Sequence, residues 1–120
     1  MKTAIKIDRS VRFTHHGVHD QPVFAVMDTY KPGGGKAIEL FTDDEEMEPW
    51  TMATSNLAGI SLADDEVLIK TYSENEGLLE DMEEAGIVRR TGRYIPSGFV
   101  NIPVCKLLRK IPGFPKEDDK

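Results

Sequence analysis

The sequence predicts an α+β fold, with a mainly antiparallel sheet of about five to seven strands and one principal helix packed on one face. Short segments of alternating or β-branched residues recur along the chain, and turn residues separate them. Only one segment has the apolar spacing of an amphipathic helix. Because a single helix cannot cover both faces of a large parallel sheet, we expect antiparallel pairing.

The strand pattern occurs seven times, in the order β-β-β-β-β-α-β-β. The segments between the strands are rich in Gly, Pro, Asp and His, which is typical of loops and turns. We predict loops at residues 15–22, 31–36, 43–49 and 58–66. The predicted strands are residues 3–7 (with a continuation at 11–13), 22–30, 37–42, 50–57, 67–72, 87–95 and 99–108.

The helix has recognisable start and stop signals. Ser73, followed by Glu76, forms a capping-box pattern. Gly86 suits the left-handed position just past a helix end. The predicted apolar face consists of Leu78, Leu79, Met82 and Ala85.

Length and composition indicate one domain, which we place at residues 1–110, followed by a flexible charged tail at residues 111–120. A single cysteine, Cys105, cannot form an internal disulfide, which favours a reducing compartment. The chain has neither a signal-peptide pattern at its start nor an apolar run long enough for a membrane span. We therefore expect a cytoplasmic protein without membrane contact.

Charge is distributed unevenly along the chain. Residues 39–84 contain 15 acidic residues and one basic residue, Lys70, whereas both flanks carry net positive charge. Such a segment is either a solvated, solubilising face or a surface that attracts a basic partner. Acids in the last turns of the helix oppose its dipole, which favours a functional explanation.

We therefore predict that one acidic patch binds a basic, nucleic-acid-binding protein, and that the chain itself does not bind nucleic acid. The patch requires two loops and the helix to meet in space. The candidate partner-binding residues are Asp43, Asp44, Glu45, Glu46, Glu48, Asp64, Asp65, Glu66, Glu80, Asp81, Glu83 and Glu84.

The histidines are weak candidates for a metal site. Imidazole and carboxylate groups of His15, His16, His19 and Asp20 are of the type that divalent metals prefer. Their spacing matches no strong motif, and neighbouring residues of a strand point apart, so we favour a polar loop and expect no metal or other cofactor.

Two further motifs have simpler explanations. The glycines before Lys36 lack the Walker spacing, which predicts a flexible hairpin loop. Cys105 lies in a predicted strand with no base placed beside it, which predicts a packed thiol and no catalytic residue.

The arginines Arg89, Arg90 and Arg93, with Tyr94, are candidates for phosphate contacts and base stacking. The acidic chain, with a pI of about 5.0, argues against nucleic-acid binding. Arg90 has the alternative of pairing with the acids of the preceding helix.

Residues 50–107 resemble a small domain family of unknown function that is encoded on bacterial plasmids, phages and integrative elements. The resemblance implies an accessory gene of a mobile element. It implies no activity and no catalytic residues, because none is known for the family. It depends on KAIEL at 36–40, SNL at 55–57, IKTYSENEG at 69–77, TGR at 91–93 and SGF at 97–99.

These observations predict a non-enzymatic protein-binding accessory protein, in its most concrete form an acidic inhibitor of a host defence nuclease such as a CRISPR or restriction complex. One alternative is a module that binds a peptide or its own copy, as a homodimer, through an edge strand around Pro103 or apolar surface near Trp50. In a strand, Pro103 removes a hydrogen-bond donor, which indicates an edge or a bulge. A third alternative is a small enzyme that uses the loop from His15 to Asp20.

Overall fold

The computed structural model describes residues 7–17, 19–30, 35–57 and 59–114. Parts of the predicted first strand, of the turn at 31–36 and of the tail at 111–120 lie outside these ranges. The described residues form seven strands, one α-helix and one short 3-10 helix. They are β1 (Arg12–His16), β2 (Asp20–Thr29), β3 (Lys36–Thr42), β4 (Pro49–Met52), β5 (Glu66–Leu68), the 3-10 helix (Ser73–Asn75), α1 (Leu78–Glu84), β6 (Val88–Ser97) and β7 (Val100–Leu107).

The described strands are divided between two antiparallel sheets. One sheet has the order β1-β2-β3-β4, and the other has the order β5-β7-β6. An isolated bridge between Thr54 and Ile69 connects the sheets, and Lys70 donates its backbone N–H to the carbonyl of Ala53. The fold is thus mainly antiparallel with one helix, as predicted, but its seven strands do not share one sheet.

The predicted loop at 15–22 is shorter than expected. His15 and His16 end β1, and Asp20, which begins β2, is paired with His16. The prediction was wrong here because backbone pairing with a neighbouring strand outweighs the low strand propensity of polar residues.

The sequence predicts Pro103 at an edge strand or a bulge. It lies in the central strand of the three-stranded sheet, so the edge position is wrong, whereas an irregularity in the pairing does occur beside it. The backbone N–H of Ile69 donates to the carbonyl of Pro103 over 3.2 Å. Because proline has no backbone N–H, Pro103 cannot donate the reciprocal hydrogen bond to Ile69. This explains why β5 ends at Leu68. On the other side of β7, the pairing with β6 is irregular between Arg90 and Tyr94, the latter opposite Pro103.

One apolar cluster connects both sheets with the helix. It includes Ile38 and Leu40 of the four-stranded sheet, Val67 and Cys105 of the three-stranded sheet, and Met82 of α1. A second cluster, around Leu68, Ile102 and Val104, lies on the opposite face of the three-stranded sheet, where Leu57 and Leu62 cover it. The three-stranded sheet is therefore covered on both faces.

The helix begins later than the capping box predicts. Ser73 starts the 3-10 turn with a φ of 58°, and the N-cap of α1 is Gly77, at a φ of 82°, without a side-chain cap. Asn75 explains the difference, because its buried side chain donates to the Met52 carbonyl and accepts from the Thr51 hydroxyl, each over 2.8 Å. Two such bonds outweigh a capping interaction of about 1 kcal/mol.

The rest of the helix follows its sequence pattern. Leu78, Leu79 and Met82 are buried and Ala85 packs beside them, which confirms the predicted apolar face. Gly86 has a φ of 76°, which confirms the predicted left-handed position after the helix. No helix of the described residues is long and apolar enough to span a membrane.

Residues 111–114, assigned above to the tail, lie against the four-stranded sheet. The side chain of Ile111 is buried in the main cluster, and Met27 donates its backbone N–H to the Pro112 carbonyl over 2.8 Å. The ring of Phe114 packs edge-on against Phe41, with 5.7 Å between centroids.

Candidate functional site

The predicted acidic residues occupy three separate places in the fold. Val67 of β5 lies in the cluster that contains Leu79 and Met82 of α1, whereas Leu68 lies in the cluster on the opposite face. Glu66 alternates with Val67 along the strand, so it lies on the Leu68 face. The three-stranded sheet therefore separates Glu66 from the acids of α1.

The acids between β3 and β4 form two groups, those with partners in the fold and those that are exposed. Asp43 accepts hydrogen bonds from Arg9 (2.9 Å) and Arg12 (3.0 Å). Asp44 accepts hydrogen bonds from the Thr42 hydroxyl and the backbone N–H of Met47, which lower its pKa. These two acids hold the connection in place. Three exposed acids without a salt bridge among the described residues remain, namely Glu45, Glu46 and Glu48.

The acids before and at the start of β5 are largely paired. Asp65 forms a salt bridge of 3.4 Å with Lys106, and Glu66 forms one of 3.4 Å with Arg93. Glu66 also accepts the backbone N–H of Ala63 over 3.0 Å. Asp64 is exposed. This group is consequently much less negative than its sequence indicates.

The acids at the end of α1 have a structural explanation. The Arg90 side chain donates to Glu83 (3.0 Å) and Glu80 (3.1 Å), and its backbone N–H donates to Glu83. Partial burial raises the pKa of Glu83, but the bonds from Arg90 outweigh that effect and lower the pKa. The carboxylates in turn raise the pKa of Arg90. The alternative that Arg90 pairs with the helix is confirmed, and it offsets the unfavourable helix dipole.

Asp81 faces inward and is buried. Its carboxylate accepts the backbone N–H of His16 over 2.9 Å, which connects α1 to the end of β1. Among the helix acids, Glu84 is exposed and has no salt bridge to a described residue.

A cavity of about 400 Å³ lies where the 3-10 turn approaches the end of β1, and we call it the turn cavity. It brings together residues that are far apart in sequence, which is why spacing alone did not find it. Asn75, anchored to β4, holds the turn in place. The residues that line the cavity are His16, Gly17, Ser73, Glu74, Glu76 and Gly77.

A second cleft, of about 280 Å³, adjoins the turn cavity because both are lined by Glu76 and Gly77. It lies between the N-terminal end of α1 and the β6–β7 hairpin. Its other lining residues are Thr71, Leu79, Glu80, Arg90, Tyr94, Asn101 and Pro103.

The surroundings of the turn cavity are negative. Nδ1 of His16 lies 2.7 Å from a carboxylate oxygen of Asp20. This hydrogen bond raises the pKa of His16, and the charges of Asp20, Asp81 and Glu84 raise it further. Glu74 accepts a hydrogen bond from Lys70 at 3.4 Å, whereas exposed Glu76 has no salt bridge to a described residue. The raised pKa of His16 therefore reflects chiefly its hydrogen bond to Asp20, with a smaller contribution from the neighbouring carboxylates.

The three histidines do not converge. His15 is buried, and its Nδ1 accepts the indole N–H of Trp50 over 3.0 Å, so a neutral His15 carries its proton on Nε2. That Nε2 is buried and has no hydrogen-bond partner among the described residues. His16 contacts Asp20, and His19 is exposed. Within the described ranges, no three His, Cys, Asp or Glu side chains are placed to hold a metal ion.

Cys105 is a core residue. Its side chain is fully buried in the main cluster, and burial raises the pKa of the thiol to about 12. The thiolate is the reactive form, so this cysteine is chemically inert in the folded protein.

Comparison of the chain with protein-family models, with curated proteins and with solved structures finds no match. The resemblance to a mobile-element family therefore stays a prediction from the sequence.

Proposed function

We propose that the chain is a non-enzymatic protein-binding protein that takes a basic segment of its partner into the turn cavity. One observation supports this function above others: the carboxylates of Glu74 and Glu76 line the turn cavity, and the carboxylate of Asp20 lies 2.7 Å from the ring of His16, another of its lining residues. A Lys or Arg side chain complements such a site in charge and size.

The predicted acidic residues then divide into two classes. Glu80 and Glu83 are held by Arg90, and Asp43 and Asp81 by other parts of the chain. We assign recognition to Glu76, which sequence reasoning left out and which has no salt bridge to a described residue. Glu74 lines the same cavity but is paired with Lys70. The exposed acids of the β3–β4 connection add a general negative field, which attracts a basic partner and raises the association rate.

In its concrete form, the proposal makes this chain an accessory protein of a mobile element that acts in the cytoplasm on a nucleic-acid-binding protein of the host, such as a defence nuclease. The segment taken by the cavity would be one that contacts nucleic acid in the free partner. Binding would exclude the nucleic acid sterically and by charge, and it would weaken as salt rises.

The edge-strand alternative has less support. Pro103 lies in a central strand, and the outer edge of the three-stranded sheet is β6. Strand β6 has features that oppose pairing with another chain: an irregularity between Arg90 and Tyr94, the exposed Arg89, and Pro96.

The test is a fluorescence-anisotropy titration of the full chain with a labelled peptide of alternating Arg and Gly. Glu76→Lys should weaken binding by about tenfold or more, whereas Glu45→Lys should change it by about twofold or less. Glu45 is the matched control because it is also exposed and unpaired among the described residues. If Glu76→Lys and Glu45→Lys lose the same affinity, the peptide is attracted by net charge alone, which would contradict the proposal. A pull-down from host lysate with wild type and Glu76→Lys then identifies the partner.

A further inference from the structure

The tip of the β6–β7 hairpin carries an unusual side chain. Phe99 is fully exposed, at 108% of its reference area. The hairpin extends beyond β5: β5 pairs with Val104, Cys105 and Lys106 of β7, and the next residue, Ile69, donates to the Pro103 carbonyl. Residues 100–102 are therefore paired with β6 alone among the described strands. A free aromatic ring at a projecting tip is typical of an anchor that a partner buries.

The outer part of the hairpin differs from the rest of the surface. Residues 94–101 contain no Lys, Arg, Asp or Glu, although 30% of the chain is charged. Tyr94 is half exposed. This composition does not suit a nucleic acid or an acidic partner, and it does suit an apolar pocket.

The same chain has such a pocket, which we call the apolar cavity. It has a volume of about 460 Å³, and its large apolar lining residues are Leu57, Ile60, Leu62, Leu68 and Tyr30. This size lies within the roughly 300–1,000 Å³ typical of ligand pockets, and a phenyl ring fits in it. The remaining described residues that line the cavity are Gly35, Lys36, Ser55, Asn56 and Gly59, none of which carries a carboxylate.

The pocket lies close to the tip of the hairpin. Leu57, Leu62 and Leu68 of the pocket belong to one apolar cluster with Ile95 and Val100, which flank the hairpin tip. When an anchor and a pocket are neighbours on one surface, a two-fold axis can bring each of them against the other in a second copy.

We propose that two copies of this chain associate through the hairpin tip and the neighbouring cavity, with Phe99 of each copy inserted into the apolar cavity of the other. Two rings are buried at once, and the contact is closed, so it gives a dimer and not a filament. This interface is independent of the turn cavity, which involves neither Phe99 nor the walls of the apolar cavity.

Sedimentation equilibrium of the full chain tests the proposal. Wild type should sediment as a dimer at concentrations on the order of 100 µM, and Phe99→Ala should raise the dimer dissociation constant by about tenfold or more. Leu108→Ala, at another exposed apolar position, is the matched control and should leave the dimer unchanged. A monomeric wild type, or an undiminished Phe99→Ala dimer, would overturn the proposal.

A complementation experiment tests the role of the apolar cavity in the same interface. Ile60→Asp should also give a monomer, because it places a charge in the wall of the apolar cavity. A mixture of Ile60→Asp and Phe99→Ala should form a heterodimer, since one intact Phe99 meets one intact cavity. Absence of the heterodimer, with both variants folded by circular dichroism, would contradict the reciprocal arrangement. Both variants should keep wild-type affinity for the Arg-Gly peptide, so this test is separate from that of the proposed function.

Discussion

The carboxylate of Asp81 accepts the backbone N–H of His16 over 2.9 Å, so a helix side chain continues the hydrogen bonding at the end of an edge strand. This contact positions the two walls of the turn cavity, because His16 lies on one wall and the turn before α1 forms the other.

Loss of this contact should destabilise the protein. Asp81→Ala leaves the N–H of His16 without its partner and should lower the free energy of unfolding by about 1–3 kcal/mol in urea denaturation. Asp81→Asn keeps an acceptor oxygen and should lower the free energy of unfolding clearly less. Equal losses for the two variants would show that the hydrogen bond is not the cause.

The pairing of Arg90 with the helix predicts that the stability of the fold depends on pH. The folded-state pKa of Glu83 is lowered from its ordinary value of 4.5, so the folded protein binds fewer protons there than the unfolded chain. The resulting stability is present above about pH 4.5 and is lost as the pH falls through the lower, folded pKa. Melting temperatures across this range should therefore fall less steeply for Glu83→Gln than for wild type. Parallel curves for the two proteins would exclude this role of Glu83.

Cys105 should be unreactive in the folded protein. With its pKa raised to about 12 and its side chain buried, it should not react with a thiol-specific disulfide reagent at neutral pH. In urea above the unfolding midpoint, the single thiol should react fully. A fast reaction with the native protein would show that Cys105 is accessible and would contradict its place in the core.

Binding of a basic peptide should depend on His16. Asp20 raises the pKa of His16 above 6.5, so below that raised pKa the ring is a cation at the cavity and opposes a basic ligand. Affinity should therefore increase as the pH rises through this pKa. In Asp20→Asn the midpoint should move to lower pH, which titrations at a series of pH values would detect. An unchanged midpoint would indicate that another group controls binding.

Local patterns in the sequence were sufficient for much of the fold. The apolar spacing of Leu78, Leu79 and Met82 identified α1, and Gly86 identified its end. The alternating pattern of apolar and polar residues predicted the central part of most strands. It does so because successive side chains of a strand point to opposite faces, so every second one is buried.

Other features depend on contacts between distant segments. Asn75 moves the start of α1 through bonds to β4, and no local rule anticipates a partner 24 residues away. The end of β5 at Leu68 follows from the missing N–H of Pro103, which matters only once Ile69 lies opposite.

The acidic site illustrates the same limit. Charge counting along the chain treats Glu83 and Glu76 alike, but Arg90 neutralises the first and the second lines a cavity. The relevant distinction is which acids have a partner in the folded protein, and this appears only when β6 packs beside α1.

The most direct test of the central claim is an amide NMR titration of the full chain with the Arg-Gly peptide. If the turn cavity binds the basic segment, the largest shift changes should fall on His16, Gly17 and residues 73–77. If the largest changes fall on residues 43–48, or are spread evenly over all exposed acids, the turn cavity is not the binding site and the proposal is wrong.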